Sequence, residues 1–253
     1  MQATGLNVTV WGEGDDAVFV HGSFGWGEET WGKQRPLARD HRLLLVDRRG
    51  FGGSPPAGRV DFERDAGDVA DLLGGGAHLV GHSYGGVVSL LAAARRPDAV
   101  RSLTVIEPPA LALVRGTPVA DDFVTGVETA MKEAADPSDY RRRFLRNFGL
   151  PAGDDDLSGR DLEAARSSWT ERNPAEAEIP FDALRGLPVL VVRGDWAAAP
   201  PVARERARTV FHGICDVLER ELHAEGATFP AAHNPQFLGE PFNDRLHAFW
   251  SST

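Results

Sequence analysis

Short apolar runs and amphipathic stretches alternate along most of this chain. Five apolar runs are bounded by glycine, aspartate or proline: AVFVHG, RLLLVDRRG, AHLVGHS, RSLTVIEPP and LPVLVVRGD. Runs of this length predict buried strands. Between them, apolar residues recur at helical spacing over 62–73 and again over 87–94. Strands that alternate with helices predict an α/β fold, in which a mostly parallel sheet carries helices on both faces.

The pattern changes in the middle of the chain, where residues 110–185 show amphipathic helical segments and no convincing buried strand. We therefore predict a core built from residues 1–109 and 186–253, with 110–185 inserted as a helical cap over one end of the sheet. The segment DYRRRFLRNFGL interleaves arginines with apolar residues, which favours a surface helix with one apolar stripe over an anion-binding site. The candidates for lining a mostly apolar pocket under the cap are Phe123, Phe148 and Trp169.

Composition and charge narrow the possible partners. The 253 residues are 42% hydrophobic, and their net charge of −10 argues against nucleic acid or an anionic membrane surface as a partner. We find neither a signal-peptide pattern nor a run of ~20 apolar residues, so we expect a cytoplasmic protein that acts on a small molecule. Its oligomeric state is left open. The single cysteine, Cys215, lies in a helical pattern, which favours a buried apolar role over a reactive thiol.

The stretch VGHSYGG places a serine at the point where an apolar strand turns into a helix. A serine on such a sharp turn is exposed above the sheet, provided that no bulky neighbours clash. Gly81 and Gly85 stand two residues before and after Ser83 and remove those side chains. The helix that begins at Tyr84 directs backbone N–H groups toward any negative charge that forms there. The G-x-S-x-G pattern in this setting predicts a nucleophilic serine rather than a helix cap.

A nucleophilic serine needs a base, and His233 is the candidate. His82 adjoins Ser83 but is a poor choice, because neighbouring side chains on so tight a turn point apart. The segment GATFPAAHNPQFLGEPFNDRLHAFW predicts a possible strand, a loop and a final helix. Of the eight histidines, His233 alone lies in a loop between a late strand and a terminal helix. The buried face of that helix is predicted to consist of Phe242, Leu246, Phe249 and Trp250.

Four motifs in order resemble those of the α/β-hydrolase superfamily, specifically its serine-nucleophile, esterase-like members with a helical cap. VHGSFGWGEETW resembles the family's oxyanion loop, and VDRRGFGGS resembles its Asp-x-x-Gly-x-Gly-x-Ser loop. VGHSYGG is similar to its nucleophile turn, and AAHNPQ to its catalytic histidine loop. The resemblance covers nearly the whole chain outside the cap, and it implies the α/β-hydrolase fold.

The resemblance also implies roles for residues in these loops. The backbone N–H of Ser23 or Phe24 would be one oxyanion donor, and the N–H of Tyr84 the second. The residues expected to brace the loops rather than react are His21, Asp47 and Arg48.

The acid of the triad departs from the family pattern. A carboxylate must hold the far nitrogen of the histidine, and many members carry it as Gly-x-x-Asp after the late strand. Here that strand reads VLVVRGDWAAAP, and Ala197 stands where the aspartate is expected. Asp195 lies two residues early, whereas Glu107 ends the strand that follows the helix beginning at Tyr84, where some relatives carry their acid. Glu107 is the preferred acid and Asp195 the alternative.

A serine nucleophile argues against haloalkane dehalogenases and epoxide hydrolases, whose family members use aspartate. We expect a carboxylic ester hydrolase that cleaves an ester, lactone or thioester of a small to medium apolar molecule through a Ser-His-acid triad and an acyl-enzyme intermediate. The alternatives are a non-hydrolytic lyase or cyclase, a ligand-binding protein, or a cofactor-free haloperoxidase on the same fold. The sequence shows no metal-ligand spacing and no dinucleotide-binding glycine motif, so neither metal nor cofactor is expected.

Overall fold

The computed structural model describes residues 5–253 and has a seven-stranded sheet at its centre. The first four residues of the predicted core lie outside the described residues. The five predicted runs all form strands, and the sheet has the predicted mostly parallel α/β arrangement. The strands are β1 (Val8–Trp11), β2 (Asp15–Val20), β3 (His41–Val46), β4 (Ala77–His82), β5 (Val100–Ile106), β6 (Val189–Gly194) and β7 (Glu225–Phe229).

The order across the sheet is β1-β3-β2-β4-β5-β6-β7. β1 is antiparallel to β3, and every other neighbouring pair is parallel. The central strand β4 is buried along its whole length, as its continuous apolar run requires. Because the carboxyl ends of parallel strands meet at one edge, the residues that follow β4, β5 and β6 lie side by side there.

Helices cover both faces of the sheet. The α-helices are α1 (Gly27–Trp31), α2 (Phe62–Leu72), α3 (Tyr84–Arg95), α4 (Pro118–Glu133), α5 (Pro137–Asn147), α6 (Gly159–Trp169), α7 (Phe181–Leu184), α8 (Pro201–Ala203), α9 (Thr209–Leu222) and α10 (Glu240–Trp250). The 3₁₀ helices are Gly32–Arg39, Pro97–Ala99, Leu111–Val114, Pro174–Glu176 and Pro235–Leu238, and a π-helical turn spans Arg204–Arg208.

Two apolar clusters lie on opposite faces of the sheet, because successive strand residues point to opposite sides. Val18 and Val20 of β2 belong to the cluster that α2, α3 and α9 cover, whereas Phe19 belongs to the cluster covered by α1 and α10. Cys215 is fully buried in α9, as predicted. The predicted apolar face of α10 is also buried: Phe242, Leu246, Phe249 and Trp250.

The segment of residues 110–185, called the helical segment below, contains α4 to α7 and no strand of the sheet. It is tied to the core by an isolated bridge in which Val60 N donates to Thr170 O and Arg172 N donates to Val60 O. The arginine-rich helix α5 packs against α4 and α6. Within residues 5–253, none of the helices combines the length and the apolar character that a membrane span requires.

Candidate active site

Ser83 lies on the sharp turn between β4 and α3, as the pattern predicts. Its backbone has φ 51° and ψ −125°, a conformation that non-glycine residues rarely adopt. A Cβ on Gly81 would collide with the Ser89 side chain and the Gly85 backbone, and one on Gly85 would collide with the backbone oxygens of Val20 and His21 at the end of β2. The two glycines therefore allow the turn to pack closely against the sheet.

His233 follows β7 in the loop before the 3₁₀ helix Pro235–Leu238, and its Nε2 lies 2.9 Å from Ser83 Oγ. This is hydrogen-bond distance for a serine and its base. His82 does not contact the serine hydroxyl. Its Nε2 instead donates to the backbone carbonyl of His233 at 2.9 Å and so holds the loop in place. Burial, followed by the charge of His233, lowers the pKa of His82 to about 3.

Glu107 meets His233 from the end of β5. Its Oε2 accepts a hydrogen bond from His233 Nδ1 at 2.7 Å. Its Oε1 accepts from the backbone N–H of Gly194 at 2.9 Å and from the indole N–H of Trp196 at 2.8 Å. Glu107 is fully buried, and these donors satisfy a carboxylate that would otherwise be costly to bury.

The alternative acid, Asp195, faces elsewhere. Its Oδ1 accepts from the backbone N–H of Ala197 at 2.9 Å, within its own turn. No hydrogen bond joins Asp195 to His233 in the described part of the chain. The structure thus places Glu107 next to the histidine and leaves Asp195 apart from it.

The strand ends around this site share an unusual backbone conformation. Ser83, Glu107 and Trp196 follow β4, β5 and β6, and their φ angles are 51°, 41° and 57°. Positive φ costs energy in residues other than glycine, and such positions cluster at functional sites. Here the conformation turns the hydroxyl, the carboxylate and the indole toward His233.

The structure separates the two candidate oxyanion donors of the first loop. The N–H of Phe24 donates to Ser168 Oγ at 2.8 Å, so it is already engaged. Among the described residues, no acceptor pairs with the backbone N–H of Ser23 or of Tyr84, and both residues line the cavity beside Ser83. Ser23 and Tyr84 therefore remain the candidate donors, and the N–H of Phe24 is not free for that role in this conformation.

The loop residues expected to brace the site do so. His21 Nε2 accepts from the backbone N–H of Arg48 at 3.0 Å, which leaves the proton on Nδ1 to donate to Gly22 O at 2.7 Å. Asp47 accepts from the backbone N–H groups of Gly27 and Gly53, each at 2.8 Å. These contacts fix the loop after β2 relative to the loop after β3.

A buried charged cluster next to the site was not anticipated from the sequence. Glu171, in the helical segment, accepts from Arg48 Nη2 at 2.6 Å and from Ser23 Oγ at 2.5 Å. Arg48 also donates to Asp65 at 3.1 Å, and all three charged side chains are buried. Burial raises the pKa of both Glu171 and Asp65, and the charge of Arg48 opposes that effect.

Two spaces open beside Ser83. The inner cavity has a free volume of about 30 Å³, room for ~2 water molecules. The outer cleft is larger, with a free volume of about 230 Å³, and its lining includes His233 and Arg141. Residues that define the inner cavity are Ser23, Ser83, Phe123, Tyr140, Phe148 and Glu171.

Two of the three residues predicted to line the pocket do so, and the third does not. Phe123 and Phe148 line the inner cavity as expected. Trp169 does not line it: the Trp169 indole donates to the carbonyl of Met131 at 2.7 Å, and its ring stacks on Tyr140. In residues 5–253, no cluster of three or more histidine, cysteine or acidic side chains could hold a metal ion.

Comparisons with known proteins agree with the fold. The family model described as "Alpha/beta hydrolase family" matches residues 17–245. A pimeloyl-[acyl-carrier protein] methyl ester esterase of Methylococcus capsulatus is 35% identical over 74% of this chain and 71% of its own. The enzyme of the same name from Aeromonas hydrophila is 29% identical over 72% and 71%. An alpha/beta hydrolase structure from Sphaerobacter thermophilus superposes with a TM-score of 0.69 at 23% identity, over 95% of this chain and 96% of that one.

Proposed function

Because the chain belongs to the alpha/beta hydrolase family and is a hydrolase of the carboxylic ester type, we propose that Ser83, His233 and Glu107 form its catalytic triad. The observation that carries the proposal is the chain of hydrogen bonds from Ser83 Oγ through His233 to Glu107, at 2.9 Å and 2.7 Å. The substrate class is an ester, lactone or thioester of a small to medium apolar acyl compound. The relatives named methyl ester esterases support the ester as the first choice.

In the first half-reaction, Ser83 Oγ bonds to the substrate's carbonyl carbon while its proton passes to His233 Nε2. The carbonyl oxygen becomes negatively charged and accepts from the free N–H groups of Ser23 and Tyr84. Glu107 holds Nδ1 in its protonated form and stabilises the imidazolium. The bond to the leaving group then breaks, and the leaving oxygen takes the proton from Nε2.

In the second half-reaction, water replaces the leaving group. His233 Nε2 removes a proton from water, and the resulting hydroxide bonds to the acyl carbon. The bond to Ser83 Oγ breaks, the serine regains a proton from Nε2, and the acid leaves. The same backbone donors stabilise the oxyanion in both steps.

The two spaces beside Ser83 suggest where the acyl group and the leaving group of a substrate bind. We place the acyl group in the inner cavity, whose walls include Phe123 and Phe148. The leaving group then lies in the more open outer cleft, where Arg141 and Asn234 offer polar contacts. The helical segment acts as the cap in this arrangement, since it supplies most of the inner cavity's apolar wall. A free volume of about 30 Å³ favours short acyl chains.

Covalent labelling tests this proposal directly. A fluorophosphonate probe should add one adduct to the wild-type protein, as measured by intact mass, and peptide mapping should place it on Ser83. Ser83→Ala should give no adduct. His233→Ala should label far more slowly, while circular dichroism shows an unchanged fold. Hydrolysis of a methyl ester series of increasing acyl length should decline beyond short chains.

Labelling also separates the alternatives. A ligand-binding protein without a nucleophile should take up no probe, and this result would exclude the proposed mechanism. Ester turnover by Ser83→Ala within tenfold of wild type would also exclude it, because the remaining activity could not come from an acyl-enzyme on Ser83.

A further inference from the structure

The inner cavity contains a small group of polar atoms within otherwise apolar walls. Glu171 is the one charged residue among those that line it, and Ser23 and Tyr140 place hydroxyl groups nearby. We call Glu171 and Tyr140 the polar subsite. A buried polar group is costly unless it has a hydrogen-bond partner, so the partners of both residues matter.

The Tyr140 hydroxyl has no partner in the described part of the chain. Tyr140 lies on α5 and is 2% exposed, and its ring packs against Phe24 and Phe144. Burial, followed by the nearby charge of Glu171, raises the pKa of this hydroxyl, so it keeps its proton. It is a donor on the wall of the cavity that no described protein acceptor satisfies.

The Glu171 carboxylate is held in place by two hydrogen bonds and can accept more. One oxygen accepts from Arg48 and the other from Ser23 Oγ, yet each carboxylate oxygen can accept a second hydrogen bond. Arg48 is fully buried and also faces Asp65, so the carboxylate of Glu171 is fixed in position. An acceptor and an unpaired donor therefore line the same cavity.

The subsite lies close to the reacting carbonyl. Glu171 Oε2 is 2.5 Å from Ser23 Oγ, and Ser23 is also the residue whose N–H we assign to the oxyanion. By ordinary bond lengths, this carboxylate oxygen lies at most roughly 5–6 Å from the backbone nitrogen of Ser23. A substituent that reaches it must sit on one of the first carbons after the carbonyl.

We propose that the polar subsite binds a hydroxyl group on the 2- or 3-carbon of the acyl chain, so that the preferred substrates are esters of short hydroxy acids. The substrate hydroxyl donates to Glu171 and accepts from the Tyr140 hydroxyl. This inference rests on the proposed function, because it places the acyl group in the inner cavity.

Charged substituents fit this subsite less well. An ammonium group has no lone pair for the Tyr140 hydroxyl, and its desolvation in an apolar cavity is expensive. A carboxylate would face the like charge of Glu171. A neutral hydroxyl is both donor and acceptor, and it satisfies both members at once.

Four matched methyl esters test the proposal, with hydrolysis followed by titration of the released acid. They are methyl butanoate, methyl 3-hydroxybutanoate, methyl 3-aminobutanoate and monomethyl succinate. For the wild-type protein, kcat/KM should be about tenfold higher for the hydroxy ester than for methyl butanoate, the effect expected of about one hydrogen bond to a charged group such as the Glu171 carboxylate. The amino and succinate esters should fall below methyl butanoate.

Variants assign the preference to its residues. Tyr140→Phe removes only the donor and should reduce the hydroxy-to-butanoate ratio of kcat/KM severalfold. Glu171→Gln should also reduce the ratio, but it disturbs Arg48, so Tyr140→Phe is the decisive variant if Glu171→Gln folds poorly. Phe123→Leu alters an apolar wall of the same cavity and should leave the ratio unchanged.

The outcomes distinguish this proposal from the proposed function. A wild-type ratio near one, or a preference for the amino or succinate ester, overturns the hydroxyl subsite while Ser83 labelling still supports the triad. A protein that labels on Ser83 but cleaves none of the four esters also overturns it. A protein without labelling at Ser83 contradicts the proposed function itself.

Discussion

The indole N–H of Trp196 donates to Glu107 Oε1 at 2.8 Å, while Glu107 Oε2 accepts from His233 at 2.7 Å. Trp196 follows β6, the strand after which many family members carry the acid. In this chain Ala197 stands at that position. That strand end therefore supplies a donor that holds the carboxylate contributed by β5. We infer that Trp196 is a positioning residue, which acts on the histidine through Glu107.

Trp196→Phe should lower kcat about tenfold and leave KM nearly unchanged. The phenyl ring keeps the stacking on Phe211 but removes one of three hydrogen bonds to a buried carboxylate. A hydrogen bond to a charged group contributes ~1.5–3 kcal/mol, enough for this loss of rate. Steady-state kinetics on one short-chain ester measures both parameters. A rise in KM with unchanged kcat would contradict a positioning role.

Glu107→Gln should be far more damaging than Asp195→Asn. A glutamine amide cannot accept from His233 Nδ1 in the way a carboxylate does, and loss of the triad acid costs ~10⁴ in kcat in the best-studied triad. The Asp195 carboxylate accepts from Ala197 within its own turn and not from His233, so Asp195→Asn should stay within a few-fold of wild type. If Asp195→Asn is the inactive variant and Glu107→Gln is active, Glu107 is not the acid.

The sheet was predictable because its central strands are buried on both faces and therefore appear as continuous apolar runs. The edge strand β1 (Val8–Trp11) was missed: it is short, only partly buried and alternates apolar with polar residues. The helical character of residues 110–185 was also predictable from periodicity. Its role as a cap stays a prediction, because helical spacing does not say which end of the sheet a helix covers.

The site residues with a local sequence signature were found, and those without one were missed. Ser83 lies in a motif whose flanking glycines indicate a tight turn, and His233 lies in a loop motif before the last helix. Glu107 directly follows the apolar run of β5. Glu171 lies in SSWTERNPAE, where nothing marks it as buried. Its partner Arg48 is 123 positions away, a pairing that only the tertiary fold creates. A charge that is buried through long-range contacts leaves no periodic signal.

Stability should fall as the pH is lowered from about 6.5 toward 4. Burial, followed by the charges of His41 and Arg101, lowers the pKa of His78 to about 4, and Asp15 nearby opposes the shift. An unfolded histidine takes up its proton near pH 6.5, so below that pH the unfolded state binds more protons than the folded one. The stabilisation is present above about 6.5 and is lost as the pH approaches 4.

Urea unfolding at several pH values, compared between wild type and His78→Gln, isolates this contribution. The wild-type slope of unfolding free energy against pH should be steeper, by at most ~1.4 kcal/mol per pH unit for one histidine. The buried acids Asp65 and Glu171 have raised pKa values and act with the opposite sign, but they are common to both proteins. Parallel slopes would show that His78 titrates alike in both states.

Gly85→Ala should destabilise the protein by ~1–3 kcal/mol or more, because the new methyl group would meet the backbone oxygens of Val20 and His21. These carbonyls belong to β2 and the turn after it and cannot rotate away as a side chain would. Gly32→Ala is the matched control: nothing lies within 4 Å of its Cβ position, and its φ of −57° suits alanine. Gly32→Ala should therefore change stability by less than ~1 kcal/mol, with any effect favourable. Denaturant unfolding of both variants measures the difference in stability. Equal midpoints would mean that the turn between β4 and α3 can relax to admit a side chain.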